Sequence, residues 1–495
     1  MDSYAEAMKR LRDDFMSANY FADPVMDAIG RKGQLALTRN HTIAAERALS
    51  GRDDRLATLI RLFVLQQAQP RTLVEAAVDC GRLTRLGLLV DGGDRMWASV
   101  DIRPTDDMTD SVSGWVVSDH VANLNTRVAR PAPDHVLGAS PASISLSHIT
   151  SRRSVGRALD LGTGSGYQSL HLSRHAREVV ATDVNPRALT LATLSFALND
   201  LSVSTRLGSL YEPVSGEQFD LITTNPPFVI APPSGERLVY REAGHTSDDL
   251  MRAVVSGAAD RLRPGGSLHV VGNWAHLADT PWQDHVSAWI PSGCDAFIVE
   301  REELDPYEYI EVWLADAGLN GSADYRRRYD QWLAYFDACR VEAVGMGWIT
   351  MVKSGSPRPR VSCLRWPHAV DQPVGADLMA HLSAMDLAEL DDAQILDRAW
   401  TLAPGTVQET TGEPGASQPT HVVLRRSDGL GRAIEVDAAL GGVLGACDGD
   451  LTLRMIISAV AQIMRAPLTE FEQSTVRRVR QLIAQTWLTP RGLDS

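Results

Sequence analysis

The chain has 495 residues, of which 44% are hydrophobic and 22% are charged, and its formal net charge is −14. The length exceeds one ordinary domain and the composition is that of a soluble globular protein, so about two to four domains are expected. The negative charge repels polyanions and weighs against a surface that mainly binds nucleic acid. Apolar runs are too short to span a bilayer, so no membrane partner is expected.

Cysteine spacing and the first residues bear on the cellular compartment. The five cysteines are scattered and never form a Cys-x-x-Cys pair, so neither a disulfide framework nor a metal site is expected. The residues after Met1 contain no basic stretch followed by an apolar one, which predicts that no signal peptide is present. Together these observations predict a protein of the reducing cytoplasm that uses no metal.

The first 130 residues predict a helical domain of winged-helix-like character. Helical patterns cover 1–50, 56–67 and 71–78. Strand patterns at 83–90 and 95–102 flank an Asp-Gly-Gly-Asp turn, which predicts a hairpin after the helices. Winged helices bind nucleic acids and proteins alike, so this domain does not decide the function.

Residues 131–353 show alternating strands and helices after a proline-rich boundary at 131–133. This alternation predicts an α/β domain with a largely parallel sheet and helices on both faces. The predicted strands are 157–161, 178–183, 219–224, 267–272, 296–301 and 341–352, and the predicted helices are 167–176, 186–199, 248–262, 306–317 and 325–338.

Residues 354–495 predict a small third domain. A linker rich in Ser, Gly, Pro and Arg covers 353–361, and a second polar loop covers 404–420. A strand at 421–425 and helices at 451–464 and 475–485 follow. These elements predict an α+β domain, of which a winged-helix-like arrangement is one form.

A glycine-rich turn follows the first predicted strand of the α/β domain. It begins at Asp160 and continues through Gly162, Thr163 and Gly164 to Gly166. Glycines let the backbone approach a ligand, and the helix that follows offers free N–H groups. An acid before the first glycine would repel a pyrophosphate but could pair with an ammonium group. We therefore expect S-adenosylmethionine, which carries an ammonium and a sulfonium, rather than a dinucleotide.

Asp183 ends the next predicted strand. An acid at this place can accept hydrogen bonds from both ribose hydroxyls of a nucleotide-like cofactor. The alternative is that Asp183 caps the helix that opens at Asn185 and Pro186. The upstream glycine turn favours ribose binding.

These motifs resemble those of the class I S-adenosylmethionine-dependent methyltransferases. Residues 160–166 match the first motif, Asp183 the second, and 263–266 the turn before the fifth strand; the resemblance covers about 136–352. It implies a Rossmann-like, seven-stranded sheet with an antiparallel last strand. It also implies a polar contact to adenine after the third strand, where this chain has Ser209 instead of the aspartate of many relatives.

The sequence Asn225-Pro226-Pro227-Phe228 follows the apolar strand 219–224 and is expected beside the cofactor. A planar amide, guanidine or aromatic-amine nitrogen is a poor nucleophile because its lone pair is delocalised. The side-chain oxygen of Asn225 and the carbonyl of Pro226 could accept its N–H groups and direct the lone pair toward the methyl group. Phe228 could stack on a flat acceptor. A simple turn with a buried phenylalanine is the alternative.

The same motif resembles that of methyltransferases of glutamine in release factors, of adenine N6 and of guanine N2. The three-part layout is similar to that of a multidomain actinobacterial group, in which Tyr-Arg-Asp-Gly-Gly is expected after the motif. This chain has Glu242 and Ala243 at the third and fourth positions. If Glu242 enters the pocket it favours a cationic acceptor such as guanidinium; a solvated loop charge is the alternative.

Other candidate residues surround the acceptor end. His135 and His245 flank the expected site, and Trp274 ends a strand, but a structural role is an alternative for each. Methyl transfer here should need little acid–base help, because the proton leaves after the nitrogen becomes cationic. Acidic residues near this end are Asp248, Asp249, Glu300, Glu302, Glu303 and Asp305.

Three functions remain open from the sequence. The first is an N-methyltransferase that acts on an arginine guanidine or a glutamine amide, in a free amino acid or in a protein. The second is a nucleobase N-methyltransferase of RNA or DNA, which the motif fits equally well and the net charge does not. The third is a non-enzymatic regulator, against which the complete cofactor and acceptor motifs argue.

Overall fold

The computed structural model describes residues 2–107, 112–121, 124–126, 131–233, 247–414 and 420–491. The segment 240–244, which contains Glu242, and His245 therefore lie outside the described residues. Among the helices within those ranges, none combines the length and the apolar character needed to cross a membrane.

Within the residues that the structure describes, the N-terminal region contains six α-helices, a three-stranded sheet and a strand pair. The helices are α1 (Asp2–Ser17), α2 (Ala22–Leu37), α3 (Ile43–Ala48), α4 (Arg55–Leu59), α5 (Arg71–Ala77) and α6 (Cys80–Arg85), and the strands are β1 (Gln69–Pro70), β2 (Leu89–Asp91), β3 (Arg95–Ala98), β4 (Asp101–Asp107) and β5 (Val112–Ser118).

The predicted hairpin is confirmed as the antiparallel pair of β2 and β3, to which β1 adds. Its first strand is shorter than predicted, because residues 83–85 end α6. The predicted helix 56–67 is divided between α4 and a π-helical turn, Ile60–Val64.

The N-terminal region shares its hydrophobic core with the α/β region. Phe15, Phe63 and Trp115 belong to the same buried cluster as Leu191 and Leu198 of the helix Pro186–Leu198. The backbone N–H groups of two β5 residues also donate to side chains of the α/β region: Trp115 to Asn199 Oδ1 and Val117 to Ser195 Oγ, each at 2.9 Å. This packing fixes the N-terminal region on the helix that flanks the candidate site.

The α/β region is built on one eight-stranded sheet. Its strands are β6 (Val155–Leu161), β7 (Ala176–Asp183), β8 (Val203–Leu207), β9 (Phe219–Thr224), β10 (Leu262–Leu277), β11 (Asp295–Leu304), β12 (Val341–Val352) and β13 (Arg360–Arg365); its helices are α7 (Pro141–Ile149), α8 (Tyr167–Leu172), α9 (Pro186–Leu198), α10 (Asp249–Ala258), α11 (Trp282–Ser287), α12 (Pro306–Asp316) and α13 (Tyr325–Cys339).

The strand order is β13-β11-β12-β10-β9-β6-β7-β8. Strand β12 is antiparallel to both of its neighbours, β10 and β11, whereas the remaining pairs in this sheet are parallel. The predicted α/β class and the antiparallel last strand of a seven-stranded core are therefore confirmed. Successive residues of β10 face opposite sides, since Val270 packs with α10 and α11 while Val271 packs with α7.

Strand β13 was not predicted. It begins at Arg360, inside the polar linker expected at 353–361, so the end of that linker is strand, and the strand adds to β11 in parallel register. Arg360 explains the pairing, because its backbone N–H donates to Asp295 Oδ1 at 3.0 Å and its guanidinium binds the same buried carboxylate. The sheet thus continues past the boundary that was predicted at 353/354.

The C-terminal region contains five helices and two small sheets. The helices are α14 (Gly375–Ala388), α15 (Asp392–Leu396), α16 (Ala438–Gly445), α17 (Leu453–Met464) and α18 (Leu468–Ala484), and the strands are β14 (Ala399–Leu402), β15 (Val407–Thr411), β16 (His421–Arg425), β17 (Ala433–Val436), β18 (Asp448–Thr452) and β19 (Leu488–Pro490). Helix α14 packs on the main sheet through Leu378 and Leu382. Part of the loop predicted at 404–420 is strand β15, which pairs with β16.

Candidate cofactor and acceptor site

A cavity of about 550 Å³ lies at the carboxyl ends of β6, β7 and β9. This is the edge at which parallel α/β sheets bind ligands, and the volume lies in the range of small-molecule sites. The predicted site residues that line the cavity are Gly162, Thr163, Gly164, Asp183, Ser209, Asn225 and Pro226. The glycine-rich turn and the Asn225-Pro226 turn, which the sequence singled out separately, therefore line one cavity.

The glycine turn needs glycine at three positions. Gly162, Gly164 and Gly166 have φ angles of 77°, 55° and 88°, in the left-handed region that side chains with a Cβ rarely adopt. At Gly166, a Cβ would also lie 2.6 Å from the ring of Phe196 on α9. The backbone N–H groups of Gly162 and Thr163 both donate to the carbonyl of Thr182 at 2.9 Å, which ties the turn to β7.

Asp160 lies beneath the turn and not on the cavity wall. Its side chain is 1% exposed, and Oδ2 accepts hydrogen bonds from Thr163 Oγ1 at 2.7 Å and Ser169 Oγ at 2.6 Å. Burial raises the pKa of Asp160 to about 6, although the two hydroxyls lower it. The predicted contact with an ammonium group is therefore replaced by an internal role, in which Asp160 joins the turn to α8.

Asp183 lies on the cavity wall at the end of β7. Its Oδ2 accepts from the Gly164 N–H at 2.9 Å and its Oδ1 from the Asn185 N–H at 2.8 Å. The helix cap considered as the alternative is formed by Asn185 itself, whose Oδ1 accepts from Arg187 N–H. Burial raises the pKa of Asp183. Each carboxylate oxygen can accept one more hydrogen bond, as two ribose hydroxyls would require.

Ser209 lies on the same wall, directly after β8. The backbone on both sides of it is unusual, with φ of 154° at Gly208 and 45° at Leu210. Leu250 and Val254 of α10 line the cavity as well.

Asn225 follows the last residue of β9 and lines the cavity. Its Oδ1 is buried, yet no residue of the described chain donates a hydrogen bond to it. An unsatisfied buried acceptor costs about 1–3 kcal/mol, so this atom is poised to receive a donor from a ligand. Pro226, the next residue, is buried and lines the cavity too, and its ring holds the backbone in place.

Phe228 does not line this cavity. It packs between two hydrophobic clusters, with its ring edge-on to Trp313 of α12 at a centroid distance of 6.1 Å. The structure therefore shows a half-buried phenylalanine, close to the alternative that the sequence left open, and Phe228 packs against the turn from the side away from the cavity.

The other candidate residues are divided between the cavity and the core. His135 lines the cavity, and burial lowers its pKa although Asp119 lies 3.8 Å away. Trp274 is fully buried and donates from Nε1 to Glu300 Oε2 at 2.9 Å, so it belongs to the core. Asp248 is also internal, since its Oδ2 accepts from the Ala275 N–H and from His285.

His276, Glu300 and Glu303 place their ligand atoms within 4.8 Å of one another. Arg365 of β13 supplies positive charge to the same group, with Nη2 2.9 Å from Glu303 Oε2. The three residues and Arg365 therefore form a network of ion pairs and hydrogen bonds next to Trp274.

Apart from His135, which the sequence placed beside the expected site, sequence reasoning missed the segment that forms another wall of the cavity. Residues 134–138, with Ser140 and Ser143 of the α7 start, line the cavity. The segment is held by side chains of the core: Asn185 Nδ2 donates to the carbonyl of Asp134 at 2.8 Å, and Gln168 Nε2 donates to that of Ser143 at 2.6 Å. A polar sequence after a proline-rich boundary carries no local signal that it folds back over a sheet edge.

With this geometry established, two family models match the chain. A methyltransferase small domain matches residues 141–284, and a domain of unknown function matches residues 17–99. The release factor glutamine methyltransferase of Deinococcus radiodurans is 32% identical over 210 residues, which cover 38% of this chain and 72% of that protein. The chain belongs to the methyltransferase small-domain family. Its cofactor is S-adenosylmethionine.

Two further comparisons name enzymes of ribosomal RNA. The ribosomal RNA small subunit methyltransferase C of Alcanivorax borkumensis is 33% identical over 129 residues, which cover 26% of this chain and 35% of that protein. A T. thermophilus 16S rRNA N2 G1207 methyltransferase, solved with AdoMet and guanosine, aligns with a TM-score of 0.26 and 18% identity over 44% of this chain and 57% of that one. The chain thus spans about a third of the Alcanivorax relative.

Proposed function

We propose that this methyltransferase transfers a methyl group from S-adenosylmethionine to the side-chain amide nitrogen of a glutamine in a protein. The observation that carries the proposal is the buried, unsatisfied Oδ1 of Asn225 at the end of β9, on the wall of the cofactor cavity. The Deinococcus relative, which acts on glutamine by its name, supports this acceptor.

The cofactor site accounts for the other end of the reaction. The glycine turn would let the protein backbone approach the cofactor closely, Asp183 would accept hydrogen bonds from the ribose hydroxyls, and Ser209 would contact the adenine. Bound there, S-adenosylmethionine supplies an electrophilic methyl group on a sulfonium. The protein's own task is to bring a weak nucleophile to it in one orientation.

Asn225 and Pro226 perform that task on the acceptor. The amide NH₂ of a glutamine donates one N–H to Asn225 Oδ1 and the other to the Pro226 carbonyl. Both hydrogen bonds strengthen as the nitrogen becomes cationic, so they stabilise the transition state more than the bound substrate. The nitrogen forms its bond to the methyl carbon as the carbon–sulfur bond breaks, and the nitrogen then releases a proton to solvent.

The charges of the described lining residues favour an amide over a guanidinium. Among the described lining residues, the carboxylates are those of Asp134 and Asp183, and both lie on the β7 side. Asn225 directly follows β9, which is separated from β7 by β6. A guanidinium needs a carboxylate partner when it is buried, whereas an amide needs only neutral acceptors.

A nucleobase amino group is the second candidate acceptor. It is also planar with two N–H donors, and the Alcanivorax relative acts on ribosomal RNA by its name. The net charge of −14 opposes association with RNA.

An acceptor panel tests the proposal. The purified chain is incubated with S-adenosylmethionine labelled in its methyl group and, separately, with a bacterial release factor, ribosomal RNA, free glutamine and free arginine. We expect label on a glutamine of the release factor, located by peptide mass spectrometry and absent when that glutamine is replaced. Label in RNA alone would favour the second candidate, and label in arginine alone would contradict the amide assignment.

A further inference from the structure

The segment after the acceptor turn is supported by the helix pair α12 and α13, which lies between β11 and β12 in the chain. Val229 and Ile230 are buried in one hydrophobic cluster with residues of both helices. Phe228 contacts Trp313 of α12 in the same place. The acceptor turn is therefore held on one side by the sheet and on the other by this helix pair.

Tyr309 of α12 joins the turn to the sheet. The residue is fully buried, and its hydroxyl oxygen accepts hydrogen bonds from the Ile230 backbone N–H at 3.0 Å and from Asn273 Nδ2 at 2.7 Å. Asn273 is also fully buried and lies on β10. One phenol oxygen thus connects a helix, a central strand and the segment that leaves the acceptor turn.

A second tyrosine makes a contact of the same kind. Tyr335 of α13 accepts a hydrogen bond through its hydroxyl from the Ser247 backbone N–H at 2.6 Å. Ser247 lies just before α10, the helix that provides Leu250 and Val254 to the cavity. Each helix of the pair therefore accepts one backbone hydrogen bond from a segment next to the site, α12 from Ile230 and α13 from Ser247.

The position of Ile230 explains why its hydrogen bond matters for Asn225. The two residues are five positions apart, and Pro226 and Pro227 between them have restricted φ angles and no N–H group. Such a stiff connection transmits a displacement of Ile230 to Asn225. Because catalysis depends on the orientation of the acceptor nitrogen, a shift of about 1 Å can cost a factor of about 100 in rate.

We propose that Tyr309 is a positioning residue for methyl transfer, and that Asn273 orients its hydroxyl. Tyr309 holds Ile230, and through it fixes the carbonyl and amide acceptors of the Asn225 turn. The cofactor end does not depend on it, since Tyr309 does not line the cavity. The expected loss of kcat rests on the proposed function, whereas the expected change in hydrogen exchange at Ile230 does not.

The test compares Tyr309→Phe with Tyr329→Phe. Tyr309→Phe keeps the buried ring and removes the shared acceptor. Tyr329 of α13 is the matched control, because its hydroxyl binds Glu311 near the surface and is remote from the cavity. We expect Tyr309→Phe to lower kcat about tenfold, to leave the Kd for S-adenosylmethionine within about twofold and to speed amide hydrogen exchange at Ile230. Asn273→Ala should show the same pattern more weakly, and the control should show none of it.

Two results would overturn the inference. One is unchanged kcat and unchanged exchange at Ile230 in Tyr309→Phe. The other is a parallel loss of cofactor binding and turnover, which indicates a general role in folding. If the unaltered chain methylates none of the offered acceptors, the proposed function fails, while exchange at Ile230 still tests the anchor.

Discussion

The cofactor end and the acceptor end of the site differ in how their polar groups are satisfied. At the cofactor end, Asp160 and Asp183 already accept four hydrogen bonds from the turn and the helices around it. At the acceptor end, Asn225 Oδ1 is buried with no described donor. A turn whose polar groups are already hydrogen-bonded within the protein is preformed, which suits a cofactor that every reaction cycle uses. An unsatisfied acceptor provides binding free energy only when the correct N–H group arrives.

The largest expected effect concerns Asn225. Asn225→Ala removes the acceptor of the nitrogen's N–H group and should lower kcat by about 100-fold or more, as for the loss of one oriented transition-state contact. The Kd for S-adenosylmethionine should stay within about twofold, since Asp183 and the glycine turn are untouched. Steady-state kinetics and calorimetric titration measure the two quantities.

Asn320→Ala is the control for that change, because Asn320 is exposed and does not line the cavity. Normal turnover by Asn225→Ala would contradict the proposed role of the turn in binding the acceptor. It would also remove the proposed functional difference between the two ends of the site.

The next effect is expected at the cofactor end. Gly166→Ala places a Cβ 2.6 Å from Phe196 at a φ of 88°, so both strain and overlap oppose it. The free energy of unfolding should fall by about 3 kcal/mol, and cofactor affinity should fall as well. Denaturant titration compares the variant with Gly445→Ala, a helical glycine whose added Cβ would meet no atom within 4 Å. Equal stability of the two variants would show that the turn tolerates a side chain.

A smaller, pH-dependent effect is expected from Asp160. Its pKa is about 6 in the folded chain, because burial disfavours the carboxylate, and near 3.8 when unfolded. The unfolded chain therefore releases this proton first, and the contribution of Asp160 to stability is lost as pH rises from about 4 to above 6. The loss over that interval should be about 2 kcal/mol.

Asp160→Asn should remove this dependence while its Oδ1 still accepts from Thr163 and Ser169. The measurement is denaturant unfolding of both proteins from pH 4 to 6.5, in which the other titrating groups are shared. Parallel stability curves would mean that the Asp160 carboxyl has the same pKa in the folded and the unfolded chain, and curves that diverge in the opposite sense would mean that the folded site stabilises the carboxylate.

Local signals explain how much of the site could be predicted. The local conformation is set by a few adjacent residues. In this site they are glycines with positive φ, two consecutive prolines and an acid at a strand end. Phe219–Thr224 and Val341–Val352 were predicted to the residue because apolar strands end at such turns. Strand β13 escaped prediction, because its place depends on Arg360 meeting Asp295, which is 65 positions away in the chain.

The sequence by itself determined the order of strands and helices, the cofactor turn and the acceptor turn, since each depends on the conformational preferences of a few adjacent residues. The tertiary structure alone decided which polar atoms face the cavity. It buried Asp160 beneath the turn, placed Phe228 against Trp313, brought 134–138 over the sheet edge and left Asn225 Oδ1 without a donor among the described residues. These outcomes depend on contacts between distant segments. Whether a polar side chain finds a hydrogen-bond partner is decided only when all of those segments have packed together.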